Sequence, residues 1–155
     1  MIWCVEDDAS SRDIEVYALT STGFEARGFA DGDTFWDALQ KEAPPELVVL
    51  DEAHRLRNVY KTSNVIAKTI KDALAHVHSK VLLTATPLQN SLLELYGLVS
   101  MIDDRVFGDL DSFRAQFTQS NREQAFAALR SRIAPICKRT LRRQVQQYVP
   151  YTARR

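Results

Sequence analysis

No glycine in this chain precedes a lysine. There are five glycines in 155 residues, at 23, 28, 32, 97 and 108. The glycine-rich loop ending in Gly-Lys-Ser/Thr, which cradles a triphosphate with backbone N–H groups, therefore has no place to form. Lysine is absent altogether from residues 85–137. No run of 18 apolar residues occurs, so no membrane span is expected. Met1 is followed at once by Ile2-Trp3-Cys4-Val5 without a basic segment, and no secretory leader is expected. The two cysteines, Cys4 and Cys137, lie far apart and belong to no CxxC pair. They read as core thiols of a cytoplasmic protein.

What is present suits one ordinary domain with a real core. The chain is 45% hydrophobic and 26% charged. Its net charge of zero conceals an asymmetry. Residues 1–50 hold three Lys/Arg against eleven Asp/Glu, a net of −8, and residues 51–155 hold seventeen against nine, a net of +8. So sharp a division suggests two halves with different histories or partners.

Periodicity gives the elements. Ile2–Val5, Glu25–Phe29, Leu47–Leu50 and Lys80–Thr84 read as short buried strands. Helices are expected over Ser10–Ser21, with Ile14, Val16, Tyr17 and Ala18 on its apolar side, and over Asp31–Leu39, with Phe35, Trp36 and Leu39 inward. Further helices are expected over Ser63–Val77, Leu88–Met101, Asp111–Phe117 and Arg122–Ile133, with a basic stretch from Lys138 to Val145. Strands alternating with helices imply a parallel sheet with right-handed crossovers. The fold expected is α/β: a three-layer parallel sheet of about four strands in the order 2-1-3-4, followed by a basic helical extension. Residues 1–104 would form the α/β unit and 105–155 the extension.

In such sheets chemistry collects at the carboxyl ends of the strands. Here those ends carry Glu6-Asp7-Asp8, Asp51-Glu52 and Thr84-Ala85-Thr86. Converging carboxylates repel one another unless a divalent cation neutralises them, and Mg²⁺ prefers hard oxygen ligands. Glu6, Asp7 and Asp51 are the candidate metal acids. Asp8 or Ser10 would cap the following helix.

Two resemblances meet at "ELVVLDEAHRLRN", Glu46 to Asn58. Residues 1–51, with the acidic cluster after strand one, "FADG" after strand two and Asp51 ending strand three, resemble the N-terminal half of a bacterial response-regulator receiver domain. That resemblance implies Mg²⁺ at Glu6 and Asp7, phosphoryl transfer to Asp51 and a histidine-kinase partner. Thr84 would supply the hydroxyl a receiver needs, but a fifth strand is not evident and the lysine that should end it is missing from residues 85–137. Residues 46–155, with "LVVLDEAHRLRN", "KVLLTATPLQNSLLELYGLVSMID" and "PICKRTLRRQV", resemble the second half of the first lobe of a Swi/Snf-type DEAH helicase-like ATPase. That resemblance implies Asp51 on Mg²⁺, Glu52 activating water, His54 completing the DEAH motif, and Thr84 to Asn90 linking the nucleotide site to DNA. The basic residues Arg130, Arg132, Lys138, Arg139, Arg142 and Arg143 would face double-stranded DNA.

The expected function is that of a fragment of an ATP-dependent DNA translocase, lacking the phosphate-binding loop and the second lobe, inactive alone and binding DNA weakly. ATP is the family's cofactor but is not expected to bind, because Glu6-Asp7-Asp8 would repel phosphates. The alternative is a receiver-like phosphorelay module that binds Mg²⁺ and accepts phosphate at Asp51.

Overall fold

The computed structural model describes residues 1–118 and 122–140. Four strands, β1 (Ile2–Val5), β2 (Ala26–Phe29), β3 (Leu47–Leu50) and β4 (Ser79–Leu82), form one all-parallel sheet in the order β2-β1-β3-β4. The helices are α1 (Ala9–Ser21), α2 (Gly32–Lys41), α3 (Val65–Leu74), α4 (Leu92–Ile102), the short α5 (Leu110–Phe113) and α6 (Arg122–Ile133). The expected α/β sheet and strand order are those observed. None of the helices described is long and apolar enough to cross a membrane.

Local chemistry sets the helix starts. Asp8 accepts from the N–H of Ser11 at 2.8 Å, Asp31 from Thr34 at 2.7 Å and Asn64 from Ala67 at 3.1 Å. Each side chain satisfies one of the orphan donors at a helix N-terminus. Asn64 also explains why α3 begins two residues later than its apolar pattern suggests. Gly23, at φ +95°, ends the α1 turn in the left-handed region.

Register assigns each strand residue to a face. Trp3, Val48 and Lys80 share one row, and Val5, Leu50 and Leu82 the next. These rows point toward α2 and α3, where Trp3, Phe29 and Phe35 pack ring to ring at centroid distances of 4.9–6.0 Å. Met101 of α4 joins the same core. A second core lies beyond α4, built from Tyr96, Val99, Phe107, Phe113, Phe117, Ala125 and Leu129. Helix α4 is therefore apolar nearly all round, as a helix shared by two cores must be.

Three expectations change. In α1, Ile14 and Tyr17 are exposed; the sheet-facing positions are Arg12, Glu15, Val16 and Leu19. Both stripes have helical spacing, and the sheet selects the one whose Val16 and Arg12 fit over the bare Cα of Gly28. Cys137 is exposed, whereas Cys4 is buried, its thiol pushed up to about 11 by burial and then by Glu15. The segment Leu88–Ser91 is loop, because Pro87 precedes it and its N–H groups bond elsewhere. Arg142, Arg143 and most of the expected basic stretch from Lys138 to Val145 lie outside the described residues.

Candidate functional site

The carboxyl end of the sheet holds three loops side by side. β1 runs into Glu6-Asp7-Asp8, β3 into Asp51-Glu52-Ala53-His54, and β4 into Leu83–Asn90. Backbone bonds extend the ladder one step past the strands: Glu6 N–H to Phe29 O, Asp51 N–H to Val5 O, Leu83 N–H to Leu50 O and Ala53 N–H to Leu83 O, at 2.9–3.1 Å. The loop after β3 is thereby fixed to both neighbours.

On the β1 side, acids crowd. One carboxylate oxygen from each of Glu6, Glu15 and Asp51 lies within 4.8 Å of the other two. Glu6 is buried, and its Oε1 accepts from the Asp8 N–H at 2.7 Å. That bond favours the charged form, but burial and the Asp7 and Asp51 carboxyls together push its pKa up. Glu15 is pushed up to about 7, first by burial and then by Asp51 and Glu6. Its Oε2 is buried with no hydrogen-bond partner. Asp51 Oδ1 accepts from the Glu52 N–H at 2.7 Å.

Asp7 adjoins this cluster through its contact with the Glu6 carboxyl. It pairs with Arg55 at 2.5 Å, on the exposed side, and Arg55 holds its carboxyl below the usual range. Of the acids expected to meet, Glu6 and Asp51 lie together, and Asp7 touches Glu6 while also pairing with Arg55. Glu15 takes the third place. The signal for it was the stripe Arg12-Glu15-Val16-Leu19, which has i, i+3, i+4, i+7 spacing but carries two charges, so the more apolar outer stripe masks it.

Glu52 adopts φ +46°, the one non-glycine residue in the left-handed region among those described. Such a conformation costs on the order of 1 kcal/mol and persists only where neighbours enforce it. Here the enforcing contacts are the Asp51 carboxylate on its N–H and the Ala53–Leu83 bond that follows. His54 Nδ1 lies 2.9 Å from Glu52 Oε2, without hydrogen-bond alignment.

On the β4 side, a carboxylate is fully engaged. Glu94 is buried on α4. Its Oε2 accepts from the N–H groups of Gln89 and Asn90 at 2.8 and 3.0 Å, and its Oε1 from Asn90 Nδ2 at 3.2 Å. Ser91-Leu92-Leu93-Glu94 has the sequence of a capping box, but the carboxylate reaches past the cap to the preceding loop. Burial alone would raise its pKa; the Asn90 and Gln89 donors reverse that and hold it low. Arg57 adds an ion pair and one hydrogen bond, while its buried Nε and Nη1 find no hydrogen-bond partner. Its Nε lies 3.5 Å from Glu94 Oε1 and its Nη2 donates to Gln89 Oε1 at 2.6 Å. A Cβ at Gly97 would collide with the Arg57 carbonyl oxygen, so only glycine allows this approach. Thr84 Oγ1 accepts from the Thr86 N–H at 3.1 Å, shaping the start of the loop. Neither Glu94, Arg57 nor Gly97 is singled out by the sequence.

The basic candidates lie elsewhere. Arg130, Arg132, Lys138 and Arg139 are exposed in and after α6. Arg132 also sits over the Phe117 ring at 5.3 Å.

Fold and site together define a parallel α/β domain with an aspartate–glutamate pair at its central strand end, tied to a second motif loop. A family model for the SNF2-related domain matches residues 37–154, and the chain belongs to that family. The chain is 34% identical over 113 residues to the CHD3-type chromatin-remodeling factor PICKLE of Arabidopsis thaliana, covering 73% of this chain and 8% of that protein. It is 37% identical over 79 residues to the ISWI chromatin-remodeling complex ATPase ISW2 of Saccharomyces cerevisiae, covering 51% of this chain and 7% of that protein. The chain thus spans less than a tenth of these relatives. Among solved structures, the Sulfolobus solfataricus SWI2/SNF2 ATPase core in complex with dsDNA superposes with a TM-score of 0.60 at 16% identity, over 86% of this chain and 32% of that one. At that identity the likeness concerns the fold.

Proposed function

We propose that the chain is part of the motor lobe of a chromatin-remodelling type ATPase, presenting the DEAH and TATPLQN loops to DNA and nucleotide chemistry without turning over ATP by itself. The observation that carries this reading is the link between the two loops, Arg57–Glu94–Gln89 together with the Ala53–Leu83 bond. A motor needs those loops to move as one piece, and a buried, satisfied carboxylate supplies that rigidity. Asp51, Glu52, His54 and Thr84 occupy the positions that the family resemblance gives to the motor's catalytic and coupling residues, here without a nucleotide to act on. The cleft does not fit a triphosphate: acids occupy its β1 side, and no Gly-Lys pair offers N–H groups and a cation.

The exposed Arg130, Arg132, Lys138 and Arg139, with Arg142 and Arg143, contact the phosphates of double-stranded DNA in this reading. Binding is weak and independent of sequence, and each phosphate contact releases counterions. Fluorescence anisotropy with a DNA duplex over a salt series tests it. Affinity should fall steeply with salt. Replacing Arg130, Arg132, Lys138 and Arg139 by alanine should lower the slope by about one for each phosphate that is no longer neutralised. Unchanged binding in that variant contradicts the assignment.

A second reading is favoured by the orphaned Glu15 Oε2. Glu6, Glu15 and Asp51 offer only hard oxygen donors and fit Mg²⁺. The bound cation would supply charge neutralisation there, and Asp7 would remain with Arg55. The same acids suit a receiver-like role with Asp51 as phosphoacceptor and a histidine-kinase partner. The lack of any lysine in residues 85–137 weighs against a working switch.

A further inference from the structure

Among the described residues, the two faces of the sheet are covered unequally. Right-handed crossovers put α2 and α3 on one face and α1 on the other. On the first face Trp3, Val48 and Leu50 are buried. On the α1 face, register aligns Ile2 with Leu47 and Ser79, then Cys4 with Val49 and Val81, and Leu83 follows. Ile2 and Cys4 are buried, Leu47 and Val49 are half-buried, and Val81 and Leu83 are 39% and 42% exposed. Helix α1 lies over β1 and β2, with Val16 and Arg12 against Gly28. All-parallel sheets are stable because both faces are covered. Over β3 and β4, none of the described helices covers this face.

The chain itself leads to this place. Beyond α6, Ile136 and Lys138 stand at the β4 edge and line one groove with Val81 and Leu83. Thr140, two residues past Lys138, is the last described residue. The next nine residues, 141–149, read LRRQVQQYV. Their apolar members, Leu141, Val145, Tyr148 and Val149, recur at i, i+4, i+7 and i+8, the spacing of one helix face. Arg143, Gln146 and Gln147 fall on the opposite side, and Pro150 stops the pattern. A nine-residue helix is roughly 14 Å long, about the length of a four-residue strand.

We propose that residues 141–149 dock as a helix on the α1 face over β3 and β4, with the apolar stripe seated on Val49, Val81 and Leu83. The segment is the fitting occupant because it starts at the β4 edge. A tethered segment meets its groove at an effective concentration on the order of millimolar, which an untethered partner must exceed to displace it. Docking turns Arg143 to the outer surface, so that the basic stretch belongs to the surface of the domain. The inference is independent of the DNA and cation readings.

Disulfide trapping in the full chain tests it, at dilute protein and in a Cys137→Ser background. Val145→Cys is combined with Val81→Cys, with Leu83→Cys, or with Lys68→Cys on the opposite side of the sheet. The expected result is an intramolecular disulfide through position 81 or 83 and none through 68. Melting gives a second readout. Val145→Asp should lower the melting temperature by at least about 3 °C, since it carries a carboxylate into an apolar contact. Gln147→Asp, on the polar side of the same segment, should not. Cross-linking through neither 81 nor 83, or only between two chains, overturns the proposal. So does a melting temperature for Val145→Asp equal to that of Gln147→Asp.

Discussion

On either side of Asp51 the fold places a glutamate oxygen out of reach of water, and it treats the two residues in opposite ways. Glu94, on the β4 side, receives three N–H donors and an arginine, and its pKa is held low. Glu15, on the β1 side, receives none at Oε2, faces two other acids, and is pushed up to about 7. The environment, not the residue type, decides the role. A carboxylate whose charge is fully met is a structural tie. One whose charge is unmet holds a proton or invites a cation. The tie belongs to the SNF2-related part of the chain, and the unmet charge arises where the acidic first half supplies Glu6 and Glu15 to Asp51.

The contrast fails first if the β4 side is forced apart. Gly97→Ala places a methyl into the Arg57 carbonyl and should cost more than about 3 kcal/mol, because backbone, not a flexible side chain, must move. Urea denaturation would measure it. Next comes Glu94→Gln, which keeps the shape but removes the charge, leaving Arg57 unpaired. A loss of about 2–3 kcal/mol is expected, with loop amides 88–91 exchanging faster by NMR. An unchanged exchange rate there would mean that Glu94 does not hold the loop.

A smaller difference between the two glutamates emerges with pH. Glu15 has a folded pKa raised above its unfolded value of about 4.5, so its contribution to stability is complete below that value and lost as pH rises through about 7. Glu94 has the depressed pKa, so its contribution is present above the unfolded value and lost as pH falls into the acid range. Without metal, the melting temperature should therefore decline between pH 5 and 8. Glu15→Gln should flatten that decline, by on the order of 1 kcal/mol after allowance for partial exposure. Mg²⁺ at pH 8 and fixed ionic strength should raise the melting temperature of the parent but not of Asp51→Asn. The acids titrate together, so the slope belongs to the cluster.

Much of the fold was legible because short apolar runs such as Leu47–Leu50 alternate with helical stretches, and parallel sheets permit few strand orders. The motif loops were legible as the segments that follow β3 and β4, and Asp51, Glu52, His54 and Thr84 lie on them at the carboxyl end of the sheet. It was not legible where the decisive fact is a distance. Gly97 looks like a weak point in an apolar helix until Arg57 O is found against its Cα. Glu94 reads as a capping-box residue until its oxygens are seen on Gln89 and Asn90. Glu15 hides because α1 has two candidate stripes, and the apolar one faces away from the sheet. That last inversion is physical: α1 lies over Gly28 with no helix beside it among the described residues, and none of those residues covers its outer apolar side chains.

If the two motif loops are built while the cleft beside them rejects a triphosphate, the chain should not hydrolyse ATP. Steady-state hydrolysis of Mg²⁺·ATP by the full chain, with and without double-stranded DNA, decides this. Turnover should stay at background in both conditions, with no difference between the parent and Glu52→Gln. DNA-stimulated hydrolysis that disappears in Glu52→Gln would show that the cleft accepts the nucleotide after all.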